Sequence, residues 1–312
     1  MVAEMTDDYN ERMSVTSFRM VGSSIGVLLA GGLAMPLVDY GGGGITGFRL
    51  MGLLLGVLIT LFCLAGFWGT RGVKTIVAVK PKIALAEQIK IAFKNTPFNL
   101  IMSMYAIQSL AIGVLMAGQI YYVKYVMGMP DASVGLVSAV LFITAIAFIP
   151  VWVRVGVKLG KIAAYKIGIG ILTLMLFSLL FTQPEQELLF FIQMFLLGIG
   201  FSSFQLFPFS MLPDTIEFDE LQSKLRREGI FSGIWASGQK TAYAVGPSLI
   251  GFTLSLSGFA LGSEQPASVV TGIRLIFCVF TALLFLLSLI PFKAYDLTET
   301  RFAEIKARIK SE

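Results

Sequence analysis

Apolar residues run in eight long stretches separated by short polar or Gly/Pro punctuation, at about 19–38, 48–68, 99–124, 132–153, 162–182, 188–211, 229–258 and 269–292. Each is long enough to cross a hydrocarbon layer of roughly 30 Å as a helix. Two connections are longer than the rest, 69–98 and the polar segment 213–228, and neither is long enough for a separate soluble domain. Residues 83–97, IALAEQIKIAFKNTP, put apolar positions at helical spacing with Lys90 and Lys94 on the other face. This spacing predicts a short helix lying along the membrane interface, and the tail YDLTETRFAEIKARIK reads the same way. The pattern is that of an all-α polytopic membrane protein.

Composition sharpens this. Hydrophobic residues make up 56% of the 312 and charged residues 14%, against about a quarter charged in soluble domains, so a soluble globule is excluded. The chain has no histidine, which removes imidazole base catalysis and most zinc and haem chemistry. The two cysteines, Cys63 and Cys278, sit inside apolar runs and read as helix-packing residues without metal-ligand spacing. No enzyme, resident cofactor or metal is expected. A net charge of +5 invites nucleic acid as a partner, but the basic residues occupy alternate connections, as orientation signals do. The expected partner is the lipid bilayer. Most of the 24 Lys and Arg, including Lys161 and Lys166 between the fourth and fifth stretches, fall on one side. The positive-inside rule then places both termini and both longer connections in the cytoplasm, in a cell membrane. The opening MVAEMTDDYNERMS is acidic and lacks the apolar core of a signal peptide. Trp68 and Trp152, at stretch ends, read as interfacial anchors.

Polar groups at membrane depth are candidates for function. Lys240 lies about eleven helical residues beyond Gly229, roughly 16 Å deep. A lysine there costs about 2.5–3.5 kcal/mol, so it is expected to face a cavity or a carboxylate. None of the 19 carboxylates falls mid-span, so Lys240 has no acidic partner in this chain. Arg19, near the start of the first stretch, can reach headgroups or turn inward toward a solute. Tyr105, Gln108, Gln119 and Tyr122 share one face of the third stretch, suited either to a hydroxylated solute or to interhelical hydrogen bonds. Gln193, Gln205, Ser237, Gln239 and Tyr243 add further polar groups, with Ser237, Lys240 and Tyr243 read as one helix face. Together these predict a polar cavity. The glycines Gly168, Gly170, Gly198 and Gly200 read as close-packing positions.

One segment carries a family resemblance. From Met211 to Gly233 the chain reads MLPDTIEFDELQSKLRREGIFSG, followed by IWASGQKTAYAVGPSLIGF. This resembles the glycoside–pentoside–hexuronide cation symporters of the major facilitator superfamily, whose pattern is A-D-x-x-D-Y-x-E, then R-R-E-G and a helix carrying Q-K. Asp214, Glu217, Phe218 and Glu220 fill the loop positions; Arg227, Glu228, Gly229, Gln239 and Lys240 match the rest. EMTDDYNERMSVTSFR, the NTPF of Asn95 to Phe98 and the tail YDLTETRFAEI resemble the same family.

The resemblance implies a major facilitator fold in which the eight stretches correspond to helices five to twelve, with four helices missing ahead of Met1. Residues 1–68 would end the N-terminal bundle, 69–98 form the central cytoplasmic loop, 99–292 the C-terminal six-helix bundle and 293–312 a cytoplasmic tail. It further implies a secondary transporter of sugars or glycosides, coupled to sodium or protons and working by alternating access. The main carboxylate ligands of that cation would lie in the missing N-terminal segment. Lys240 and Arg19 would line a cavity with Gln239, Ser237, Tyr243, Gln108, Gln119, Tyr105, Tyr122 and Gln205. Asp214, Glu217, Glu220, Arg226, Arg227 and Glu228 would form a cytoplasmic gating loop. The alternative is a transport-inactive remnant, or a split-transporter subunit that needs an N-terminal partner.

Overall fold

The computed structural model describes residues 9–72, 84–130, 132–223, 227–260 and 265–295, together with 297, 298, 300, 301, 304 and 307. The described residues form helices α1 (Tyr9–Tyr40), α2 (Gly44–Thr70), α3 (Leu85–Ala92), α4 (Thr96–Val126), α5 (Ala132–Leu159), α6 (Lys161–Leu179), α7 (Glu187–Ser223), α8 (Glu228–Ser257) and α9 (Ala267–Lys293). The last turns of α4, Tyr122–Val126, and the middle of α9, Leu275–Phe280, are π-helical, and the two bulges meet where Tyr122 stacks on Phe277 at 4.7 Å.

The eight long helices coincide with the eight apolar stretches. Seven are long and apolar enough to cross a membrane. The eighth, α8, has the length, 30 residues, but Ser237, Gln239 and Lys240 in its middle make it more polar than the others. The protein is a multi-pass helical membrane protein.

The segment 213–228, expected as a loop, is largely helix. α7 runs 37 residues to Ser223 and carries Pro208 and Pro213 within it; nearly all of 211–219 is buried, so tertiary contacts override the local polarity. Arg226 lies outside the described residues, as does most of the tail. The short helix expected within 83–97 is α3, with Lys90 and Lys94 exposed.

Local chemistry explains where the helices begin and how closely they pack. The NTPF stretch starts α4: the Asn95 side chain accepts from the Phe98 N–H at 2.9 Å, and Pro97 occupies the first turn, where a missing N–H costs nothing. Between α1 and α2 the chain turns through Gly42, Gly43 and Gly44, with φ of 85°, 72° and 52°, a region L-side chains rarely enter. α4 and α8 touch backbone to backbone. A Cβ on Gly246 would sit 2.2 Å from the carbonyl carbon of Gly113, so no larger residue fits without moving a helix. Gly168, Gly198 and Gly200 have equally tight neighbours, as expected; Gly170 faces open space.

The body of the molecule is α4 to α9. The most extensive pairings are α4 with α8, and α7 with α6 and α5. α1 lies across this body against α5 and α7, while α2 packs chiefly on α1 and has Gly47 as its buried residue. Trp68 is 67% exposed. Trp152, expected as an interfacial anchor, is instead buried inside the body and donates through Nε1 to the Ile199 carbonyl at 2.8 Å. Cys63 is exposed rather than packed, and Cys278 is buried.

Candidate functional site

Between α1 and the body lies a cavity of about 700 Å³. Arg19, Ser23 and Ser24 come from α1, Tyr105 from α4, Phe204, Gln205 and Phe209 from α7, and Gln239 and Tyr243 from α8. Its aromatic wall is built from stacked rings: Tyr105 lies on Trp235 at 4.2 Å and 11° and on Phe204 at 5.5 Å. The guanidinium carbon of Arg19 sits 4.8 Å from the Phe209 ring centre, an attraction of about 0.5–1 kcal/mol at an exposed position. Gln239 Nε2 donates to the Tyr105 hydroxyl and lies 3.5 Å from that of Tyr243. Ser24 Oγ donates to Gln205 Oε1 at 3.0 Å, tying α1 to α7. Gln205 Nε2 is buried and has no hydrogen-bond partner among the described residues.

Of the residues expected in the cavity, the fold brings together Arg19, Tyr105, Gln205, Gln239 and Tyr243. Five others lie elsewhere. Gln108 is buried within the body, donating to Ser288 Oγ at 2.8 Å and accepting from the Tyr165 hydroxyl. Gln119 donates to Ser138 Oγ at 2.8 Å. The Tyr122 hydroxyl donates to the Leu179 carbonyl at 2.6 Å. These three hold α4 against α9, α5 and α6, the interhelical alternative for that face. Ser237 lines a separate, mainly apolar groove with α3 and α4, and Lys240 is exposed and outside the cavity.

At about 100° per residue the cavity face of α8 centres on Tyr243, with Gln239 and Pro247 about 40° to either side; Ser237 lies about 120° from Tyr243, and Lys240 about 60° from it, at the edge of that face, with its side chain exposed outside the cavity. Sequence reasoning missed Phe204, Phe209, Ser23 and Ser24 as lining residues. The helical spacing of Met20, Ser24 and Val27 on α1 was the available clue.

The gating set forms a second cluster, at the end of the bundle where α7 and α8 join. Asp214 is fully buried and pairs with Lys161 Nζ at 2.9 Å, and the same ammonium donates to the Ser210 carbonyl at 3.0 Å. Lys161 was counted among the charges that set orientation; in the fold it is buried against α7 and paired with Asp214. Arg227 is buried against Asp219, with Nε to Oδ2 at 3.0 Å and Nη2 to Oδ1 at 2.9 Å, a bidentate pair. Asn95 Nδ2 donates to the Thr215 carbonyl at 2.9 Å. Glu217 is buried, and Glu220 and Glu228 are half-buried. The cluster therefore joins the starts of α4, α6 and α8 to one stretch of α7. Asp219 was missed because its partner lies across the helix break. Among the described residues no group of three or more His, Cys, Asp or Glu comes together in a way that could hold a metal ion.

Long apolar helices packed around a solute-sized cavity, its mainly apolar wall carrying a few polar groups, make the architecture of a membrane carrier. The chain belongs to the family described as MFS/sugar transport protein, whose model matches residues 1–299, and its fold is of the major facilitator type. It is similar to an uncharacterized symporter of Synechocystis (30% identical, covering 75% of this chain and 44% of that one). It also resembles the putative glycoside/cation symporter YagG of Escherichia coli (25%, 98% and 66%) and the raffinose carrier protein of Pediococcus pentosaceus (24%, 99% and 50%). The chain thus spans between about two-fifths and two-thirds of the length of these relatives. Among solved structures, a bacterial homologue of the iron transporter ferroportin in an outward-facing state shares the fold, with a TM-score of 0.56 at 18% identity over 90% of this chain and 65% of that one.

Proposed function

We propose that this protein is a secondary transporter of a sugar or glycoside rather than an enzyme, coupled to sodium or protons and working by alternating access at the α1 seam. The supporting observation is the cavity. Its 700 Å³ falls within the roughly 300–1,000 Å³ of small-molecule sites, and it combines ring faces with amide and hydroxyl groups, the mixture that suits the apolar faces and hydroxyls of a sugar. Relatives named as a raffinose carrier and an isoprimeverose transporter agree with a saccharide cargo. In a two-bundle carrier the solute site lies near the midplane between parts that rock past each other, and the contact of α1 with α5 and α7 is the corresponding seam here.

The test is uptake of labelled glycosides by vesicles containing the 312-residue chain, under an imposed sodium or proton gradient. Uptake that collapses when the gradient is dissipated supports the reading. A well-folded chain that takes up none of the glycosides overturns it in favour of a transport-inactive remnant or a subunit.

A further inference from the structure

α1 meets the body along one half of its length. Met13, Thr16, Met20 and Ser24 are buried, at helical spacing, whereas Ile25, Val27 and Leu33 are exposed; the next buried residue among those described, Val38, packs on Gly47 of α2. The helix therefore lies on the body at its start and leaves it toward its end, and the cavity, lined on α1 from Arg19 to Val27, sits where the two part. At the start the contact is a knob in a socket. A Cβ on Gly156 of α5 would lie 2.8 Å from the Met13 sulfur and 2.9 Å from the Phe207 ring, so the missing side chain is what makes room for Met13. The floor of the socket is fixed, since Phe207 is fully buried against Trp152 and Tyr165, with ring centres at 6.0 and 5.8 Å. One turn further along α1, the Thr16 hydroxyl is buried with no hydrogen-bond partner among the described residues. Buried hydroxyls are nearly always paired, so enclosing this one works against the closed contact, and water satisfies it on opening. Apolar shape holds this end of the seam shut and a dry hydroxyl opposes it, the balance expected of a contact that exchanges between two states.

We propose, building on the alternating-access reading of the α1 seam, that Met13 is the latch that closes the cavity on the side where α1 begins. Met13 lies one and a half turns, about 9 Å, before Arg19, beyond the lining of the cavity at that end. Seated on Gly156 and Phe207, it seals the seam next to the solute site. Withdrawn, it frees the start of α1 to swing off α5 and α7 while the other end swings in. A methionine suits this task, because its unbranched, flexible thioether can leave and re-enter an irregular socket without strain.

The experiment is labelling of the purified full chain in lipid nanodiscs by a water-soluble maleimide. The background is Cys63→Ala, which removes the exposed thiol, and one reporter is added, Thr16→Cys or Val27→Cys; the buried Cys278 is the internal control. Met13→Ala is expected to speed labelling at position 16 roughly tenfold and to slow it at position 27, as the emptied socket shifts the seam toward its other state. Gly156→Ala, whose methyl meets the Met13 sulfur, should do the same more weakly, and Met13→Leu should restore much of the parent pattern. Unchanged labelling at position 16 overturns the latch. Faster labelling there with none slower at position 27 also overturns it, because α1 is then only fraying. Faster labelling of Cys278 does so too, because Met13 is then a support of the body. None of these rates requires a solute, so the latch can fail with the sugar-carrier reading intact, and the reverse.

Discussion

Two basic residues, Arg19 and Lys161, are held by the same helical body in opposite surroundings. Lys161 is enclosed at the junction of α6 and α7, its ammonium against Asp214 and the Ser210 carbonyl. Arg19 lines a cavity with an aromatic ring beside it and no carboxylate in the described lining. A buried charge with its counter-charge in place is settled: it joins helices and has little left to offer a solute. A charge whose donors are open is costly to keep unless something arrives to use them. The difference separates bracing from binding. The Asp214–Lys161 pair joins α7 to α6, and the Arg227–Asp219 pair joins the start of α8 to α7.

Breaking the braced cluster should have the largest effect. Asp214→Ala leaves the Lys161 ammonium enclosed without its carboxylate and is expected to cost about 3–5 kcal/mol, read as a large drop in the thermal unfolding midpoint in detergent. The double change Lys161→Met with Asp214→Leu should recover most of that loss; if it is no better than the single variant, the pair is not what the enclosure is built on. Next in size is Gly246→Ala, whose new methyl meets the Gly113 backbone. It should cost about 1–3 kcal/mol by forcing α4 and α8 apart, checked by the same unfolding measurement.

Ser24→Ala removes the hydrogen bond between α1 and Gln205 and should cost only about 0.5–1.5 kcal/mol. Its clearer readout is faster hydrogen exchange along α1 with that of α6 and α7 unchanged. The smallest effect is expected from Lys240→Ala. The side chain is exposed and makes no hydrogen bond or ion pair among the described residues, so stability should change by less than about 0.5 kcal/mol. A clear loss of stability there would show that Lys240 has contacts inside the body. If uptake by the same variant is lost while stability holds, Lys240 acts in transport from outside this cavity.

Much of this was legible along the chain because it is local. The eight stretches became eight long helices, and the NTPF stretch became a capped helix start, since capping and proline geometry act over three or four residues. The site was legible only in part. Residue types picked out Arg19, Tyr105, Gln205, Gln239 and Tyr243, which all line one cavity. The same reasoning placed Gln108, Gln119 and Tyr122 with them, although a helix of more than two dozen residues touches several neighbours and gives each a different part of one face. Lys240 was singled out for its depth, and depth says nothing about which way a side chain points around the axis.

The sequence by itself determined the class of protein, because apolar length against a bilayer of fixed thickness leaves no other solution. It also determined the start of α4 and the family. Only the tertiary structure decided that Lys161 braces α7, that Arg227 closes on Asp219 across a break in the helix, and that Gln205 and Arg19 line one cavity. Those outcomes depend on the rotation of each helix about its axis and on partners up to 181 residues apart, as in the Ser24–Gln205 bond. Helix rotation is set by the packing of all the neighbours at once, and no single stretch of sequence contains it.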